Sequence, residues 1–141
     1  MDHYPITGMI NASETRASID FSEDFVKLQT WFIKKYHAAL SREITTPLYK
    51  SHITLFLQKD HIVHNLPHLL SLHDSPIEIN IFPHTLIHTY TRHGADMFLY
   101  NITDPNVLNI IQTAGITYKY GEMKPHLTIC SNKGFRKSIG L

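Results

Sequence analysis

With a single cysteine, Cys130, this 141-residue chain cannot build an internal disulfide framework, and such sparing use fits a reducing compartment. No apolar run approaches the roughly 18–20 residues of a membrane-spanning helix, so no membrane association is expected. The opening MDHYPITGMINASETR has no basic start followed by a long apolar core, and no secretory signal is expected. The net charge is only +1, which argues against a whole-molecule electrostatic grip on nucleic acid. Nothing reads as a linker or a low-complexity tract. The length suits one compact domain with a real core and is too short for two ordinary ones. The composition, 43% hydrophobic and 18% charged, is that of a folded protein. A cytoplasmic monomer is the expectation.

What the chain does have is histidine, eleven of them, and an uneven charge distribution. Residues 1–30 carry five acidic side chains against Arg16 and Lys27. Residues 105–141 carry Lys119, Lys124, Lys133, Arg136 and Lys137 against Glu122 alone. A basic segment of this kind suits an anionic ligand such as a phosphate chain, and equally a solvated tail.

Periodicity gives the elements. A strand is expected over 5–12, then a helix capped by Asp20 or Ser22 with Phe25, Leu28, Phe32 and Tyr36 on one face, ending near residue 40. REITTPLYK is a connection, and 50–57 a strand. HIVHNLPHLLSL looks helical, with Pro67 starting or breaking the helix. Ile77, Ile79 and Ile81 alternate with Glu78 and Asn80 as a strand does. Two further strands should form a hairpin about His93–Gly94. DPNVLNIIQTAG offers Asp104 as N-cap, Pro105 in the first helical position and Gly115 as terminator. A last strand covers 124–131. Each half runs through a helix into a strand, which suggests an α+β fold of two related lobes, about 1–72 and 73–141.

Those two strands carry nearly the same text, KSHITLF at 50–56 and KPHLTIC at 124–130. Residues two apart on a strand share a face, so Lys50, His52 and Thr54 point one way, as do Lys124, His126 and Thr128. Two imidazoles across a groove can hold one neutral base and one charged acid near neutral pH. One takes a proton from the attacking hydroxyl and the other protonates the departing oxygen, each transfer contributing about 10²–10⁴-fold. The threonine hydroxyls can hold non-bridging phosphate oxygens as charge develops. No metal or other cofactor is needed for this scheme, and a neighbouring ribose hydroxyl is the simplest nucleophile. Composition alone supplies about one His-x-Thr by accident. The pair gains weight from its context: apolar strands, a preceding Lys-x, and corresponding places in the two halves.

SHITLFL and PHLTICS resemble the paired His-x-Thr signatures of the 2H phosphoesterase family, which includes the LigT-like RNA cyclic phosphodiesterases. The resemblance covers most of the chain, and its short form looks most like the viral 2′,5′-phosphodiesterases of the coronavirus, torovirus and rotavirus type. It implies a bilobal fold with two antiparallel sheets lining a central groove and helices outside. It implies catalytic roles for His52 and His126, with Thr54 and Thr128 on the phosphate. The implied substrate is 2′,5′-linked oligoadenylate, whose removal blocks activation of a host antiviral ribonuclease. The implied source is a viral protein, standing alone or excised from a larger polyprotein. The arginine that often trails the second motif is missing, and HLTICSNKGFRK supplies Lys133 or Arg136 instead.

The remaining candidates are contacts to substrate. Lys50 and Lys124 share the motif face and can attract phosphate, or equally cap the strand ends in water. Phe56 is a candidate for stacking a base, although an aromatic on a strand is more often core, and Phe135, Tyr4, Tyr118 and Tyr120 are further stacking candidates. His61, His64 and His68 would share a face if their segment were helical, yet the segment lacks an H-E-x-x-H motif. Within the enzyme reading, a 2′,3′-cyclic phosphodiesterase or a cyclic-nucleotide hydrolase is the alternative. Outside it stands a module that binds RNA or a nucleotide without cutting it.

Overall fold

Alternation builds most of this molecule. The computed structural model describes residues 3–21, 52–90 and 96–131, together with Phe25, Lys27, Leu28, Trp31 and Phe32 between the first two stretches. Strand β1, Tyr4–Ala12, buries Ile6, Gly8, Ile10 and Ala12 and exposes Pro5, Thr7, Met9 and Asn11. Gly8 is there for space. A Cβ at that position would stand 2.6 Å from both Ile19 Cγ2 and Phe21 Cε1, far inside van der Waals contact.

Strand β2, Arg16–Asp20, takes one of the two expected caps: Asp20 ends a strand and caps no helix, and Ser22, the other, lies outside the described residues. Ala17, Ser18 and Ile19 are all buried, so this strand shows no alternation to read. Phe25, Lys27, Leu28, Trp31 and Phe32 are helical as expected, with Phe25, Leu28 and Phe32 in the core. Tyr36, residue 40 and the connection after it lie outside the described residues.

Strand β3, His52–Leu57, is followed by β4, His61–Val63, and helix α1, Leu66–Ser71. The expected helix thus begins late. Asn65 is its cap, accepting from the His68 N–H at 3.2 Å, and Pro67 falls in its first turn, where a missing N–H costs nothing. Strand β5, Pro76–Ile81, a short 3₁₀ turn at Pro83–Thr85, β6, Leu86–Tyr90, and β7, Asp96–Asn101, follow. β6 and β7 pair as the expected hairpin; its tip about His93–Gly94 lies outside the described residues.

Helix α2, Pro105–Ala114, has the expected ends. Asp104 Oδ1 accepts from the Asn106 N–H at 2.8 Å, and Gly115 takes the left-handed conformation at φ 65°. The other oxygen of Asp104 accepts from the Asn80 N–H at 2.8 Å, so one buried carboxylate ties the helix to β5. Strands β8, Ile116–Tyr118, and β9, His126–Ser131, complete the chain.

The result is α+β, with every sheet antiparallel. One sheet runs β3-β2-β1-β5, a second β6-β7-β9, and a two-stranded ribbon joins β4 to β8. The lobe boundary expected near 72/73 is crossed twice: β5 completes the first sheet, and β4 pairs with a strand of the second half. Both motif strands are sheet edges, and β3 and β9 lie against each other. Ile53, Leu55, Leu127 and Ile129 are fully buried beneath them. Phe32 meets Tyr100 edge-on at 6.1 Å, which seats the helical segment on the second sheet. Among the described residues no helix is long and apolar enough to cross a membrane.

Candidate active site

The alternation of β3 does what its sequence requires, up to a point. His52 is exposed, Ile53 buried and Thr54 half-buried. β9 repeats it, with His126 exposed, Leu127 buried and Thr128 half-buried. Against β2, Asp20 lies opposite His52 and Ser18 opposite Thr54; the register then jumps to Ala17 opposite Phe56, leaving Leu55 as an extra residue. Against β7, Asn101 lies opposite His126 and Leu99 opposite Thr128; the register then jumps to Phe98 opposite Cys130, leaving Ile129 as the extra one. Each motif strand therefore bulges one residue after its threonine. Bulges bend and twist a strand and re-aim its side chains, and they recur beside active sites.

The bulge also corrects one expectation. Beyond it the inside–outside order shifts, so Leu55 and Phe56 are buried in succession, Phe56 to 3% exposure. Phe56 is a core residue and offers no face to a substrate base.

His126 Nδ1 lies 3.3 Å from the Lys124 carbonyl, which can only accept, so Nδ1 carries the proton and Nε2 is left for proton exchange. The pKa of His52 is held below its usual 6.5, first by partial desolvation of its otherwise exposed ring and then by the positive charges of Arg16 and His126, against the opposing pull of Asp20. His52 thus senses one charge from the adjoining strand β9 and two from its paired strand β2. Asp20 is itself anchored: Ser18 Oγ donates to Oδ1 at 2.8 Å and Asn11 Nδ2 to Oδ2 at 3.4 Å.

A groove of about 420 Å³ opens beside these strands. Thr54 and His126, one residue from each motif, line it together with Leu57, Met123 and Lys124. Its far wall is the ribbon, with Asp60, His61, Tyr118 and Glu122. The His61 and Tyr118 rings are in contact at 5.4 Å, and Tyr120 meets Tyr118 edge-on at 5.5 Å. The Leu57 N–H donates to His61 Nδ1 at 3.0 Å, which fixes a neutral His61 as the Nε2–H tautomer, a donor. Lys124 Nζ sits 3.8 Å from Glu122 Oε2, with both side chains mostly exposed.

Of the residues expected at the site, His52, Thr54, His126 and Thr128 lie on adjoining strands; Thr54, His126 and Lys124 line the groove, and His52 and Thr128 are not among its lining residues. Lys50, Lys133, Phe135 and Arg136 lie outside the described residues. His61, His64 and His68 do not share a helical face, because His61 is in β4 and only His68 is in α1. Among the described residues no three His, Cys, Asp or Glu side chains are grouped to hold a metal ion. Sequence reasoning missed Asp20 and Arg16, whose strand lacks alternation, and gave Tyr118 no strand to sit on. The aromatic and β-branched ITY after Gly115 was the available sign of β8.

No protein-family model, curated protein or solved structure matches this chain.

Proposed function

We propose that this protein is a phosphodiesterase of the 2H type, cleaving 2′,5′-linked oligoadenylate with His52 and His126 as the acid–base pair. The observation that carries the reading is the equivalence of β3 and β9: adjoining edge strands, the same His-x-Thr, and a bulge at the same place. Bulges favour sheet edges in general, and it is their falling one residue after the same triplet on both strands that marks these two as a matched pair. In this reading the 3′-hydroxyl beside a 2′,5′ linkage attacks phosphorus, in line with the departing 5′-oxygen. Thr54 and Thr128 hydroxyls donate to the non-bridging oxygens as negative charge grows there. The products are a 2′,3′-cyclic phosphate end and a free 5′-hydroxyl.

The groove supports a nucleotide substrate. Its volume of about 420 Å³ falls within the range typical of small-molecule sites. Tyr118 offers a ring face for stacking, worth about 1–3 kcal/mol per base. Asp60 and Glu122 accept hydrogen bonds and repel phosphate, which suits a base bearing an amino group on that wall and the phosphate nearer the two histidines. Cleaving oligoadenylate in a host cytoplasm would deprive an antiviral ribonuclease of its activator, the biological role this reading entails.

Trimeric 2′,5′-oligoadenylate incubated with the protein in chelator, followed by chromatography, tests the proposal. Loss of trimer with a cyclic phosphate product supports it. Binding without turnover would make the protein a nucleotide-binding module. Turnover confined to 2′,3′-cyclic phosphate ends or cyclic nucleotides would move the substrate within the same chemistry.

A further inference from the structure

We infer that Asp20 breaks the equivalence of the two motif strands, committing His52 to accept a proton and leaving His126 to donate one. The inference rests on the phosphodiesterase reading above and adds a direction to it. Its starting point is the register. Asp20 lies opposite His52, and at the matching place Asn101 lies opposite His126. The two half-sites therefore differ at this position by a carboxylate for an amide, one unit of charge.

Directly opposed residues of an antiparallel pair hold their Cβ atoms about 4.5–5.5 Å apart, close enough for a carboxylate to act on an imidazole. Asp20 is not swinging freely there. Ser18, itself 2% exposed, donates to one oxygen and Asn11 to the other, and a carboxylate keeps lone pairs beyond those two bonds.

A base must begin neutral and be stabilised as it becomes charged. Burial and the charges of Arg16 and His126 favour neutral His52 at rest, and Asp20 favours the imidazolium that forms when a proton arrives. In hydrolytic triads a carboxylate hydrogen-bonded to the imidazole has this effect at contact; the half-buried Asp20 exerts it through its charge across the strand pair. His126 is exposed, stands opposite a neutral amide, and has Lys124, Glu122, Asp60 and His61 around the same groove. In the reaction the bond from the 3′-oxygen to phosphorus forms while the bond from phosphorus to the 5′-oxygen breaks. The 3′-hydroxyl proton passes to His52, and the proton of His126 passes to the 5′-oxygen. No water, oxidant or further reactant enters.

A leaving group that needs no proton separates the roles. Two substrates are compared, trimeric 2′,5′-oligoadenylate and adenosine 2′-(p-nitrophenyl phosphate), whose nitrophenolate departs unprotonated. Expected for His126→Ala is a loss of about 10²-fold or more on the trimer and little loss on the nitrophenyl ester. Expected for His52→Ala is a comparable loss on both. Asp20→Asn should lower kcat about fivefold on both substrates with KM unchanged, and move the acidic limb of kcat/KM to lower pH, since the carboxylate raises the pKa of His52. Asp20→Glu should restore much of both. The reverse pattern, His52→Ala sparing the nitrophenyl ester, overturns the direction while leaving the phosphodiesterase reading intact. An unmoved acidic limb in a folded Asp20→Asn variant overturns the part assigned to Asp20. A wild-type protein inert toward both substrates overturns the underlying reading instead.

Discussion

Leu55 and Ile129 occupy the same place in two different strands, each the extra, fully buried residue of a bulge that follows the motif threonine. Both are large apolar side chains held in the core, so each bulge is pinned from below and not merely tolerated. The polar residues above inherit a fixed aim. Precise placement of reacting groups is worth far more than their mere presence in a groove.

Because His52 and His126 are exposed, replacing either with alanine should cost little stability. His52→Ala and His126→Ala are each expected to lose about 10²–10⁴-fold in kcat on 2′,5′-oligoadenylate. Thermal melting within a few degrees of wild type would show that the loss is chemical. Retention of more than about a tenth of activity in either would contradict the assignment.

Stability should depend on pH through His52. Its folded-state pKa lies below 6.5, so between 6.5 and that lower value the unfolded chain binds a proton that the folded one does not. Its contribution is therefore fully present above pH 6.5 and is lost as pH falls through the window below. Denaturant midpoints measured from pH 7.5 to 5 should fall less steeply in His52→Gln than in wild type.

Tyr118→Ala removes the ring from the groove wall. If that ring stacks a base, KM for oligoadenylate should rise about fivefold or more with kcat little changed. A fall in kcat at constant KM would place the ring's role elsewhere.

Gly8→Ala should destabilise the fold without touching the site. The added methyl meets Ile19 and Phe21 at 2.6 Å, and overpacking of this kind costs about 1–3 kcal/mol. Urea unfolding measures it, and an unchanged midpoint would mean that Phe21 repacks at no cost.

Much of this architecture could be read in advance, and the failures have physical causes. β1, β5, the hairpin and α2 announce themselves through alternation or through Asp104, Pro105 and Gly115. β2 does not, because Ala17, Ser18 and Ile19 are buried in succession where β2 runs between β1 and β3. Asp20, adjoining the run that leads to Phe25, carried the signature of a helix cap and proved to be the cross-strand neighbour of His52. Phe56 reads equally as a core or a stacking residue, and strict alternation cannot foresee the inserted residue that decides for the core. The two histidines and two threonines were legible because a repeated pattern survives any error in the elements around it. The ribbon was not, since β4 and β8 are three residues each and find one another only in the folded chain.

That ribbon has a mechanical consequence. β4 leaves the outgoing end of β3 after a short turn, and β8 leads toward the start of β9, so their pairing ties the two edges together along one wall of the groove. Prying the jaws apart would tear His61, Ile62 and Val63 from Tyr118, Thr117 and Ile116, along with the Lys119 N–H from the Asp60 carbonyl at 2.8 Å. The spacing of the two strand edges is thus tied to the ribbon's own pairing, and loosening β4 from β8 would change both at once.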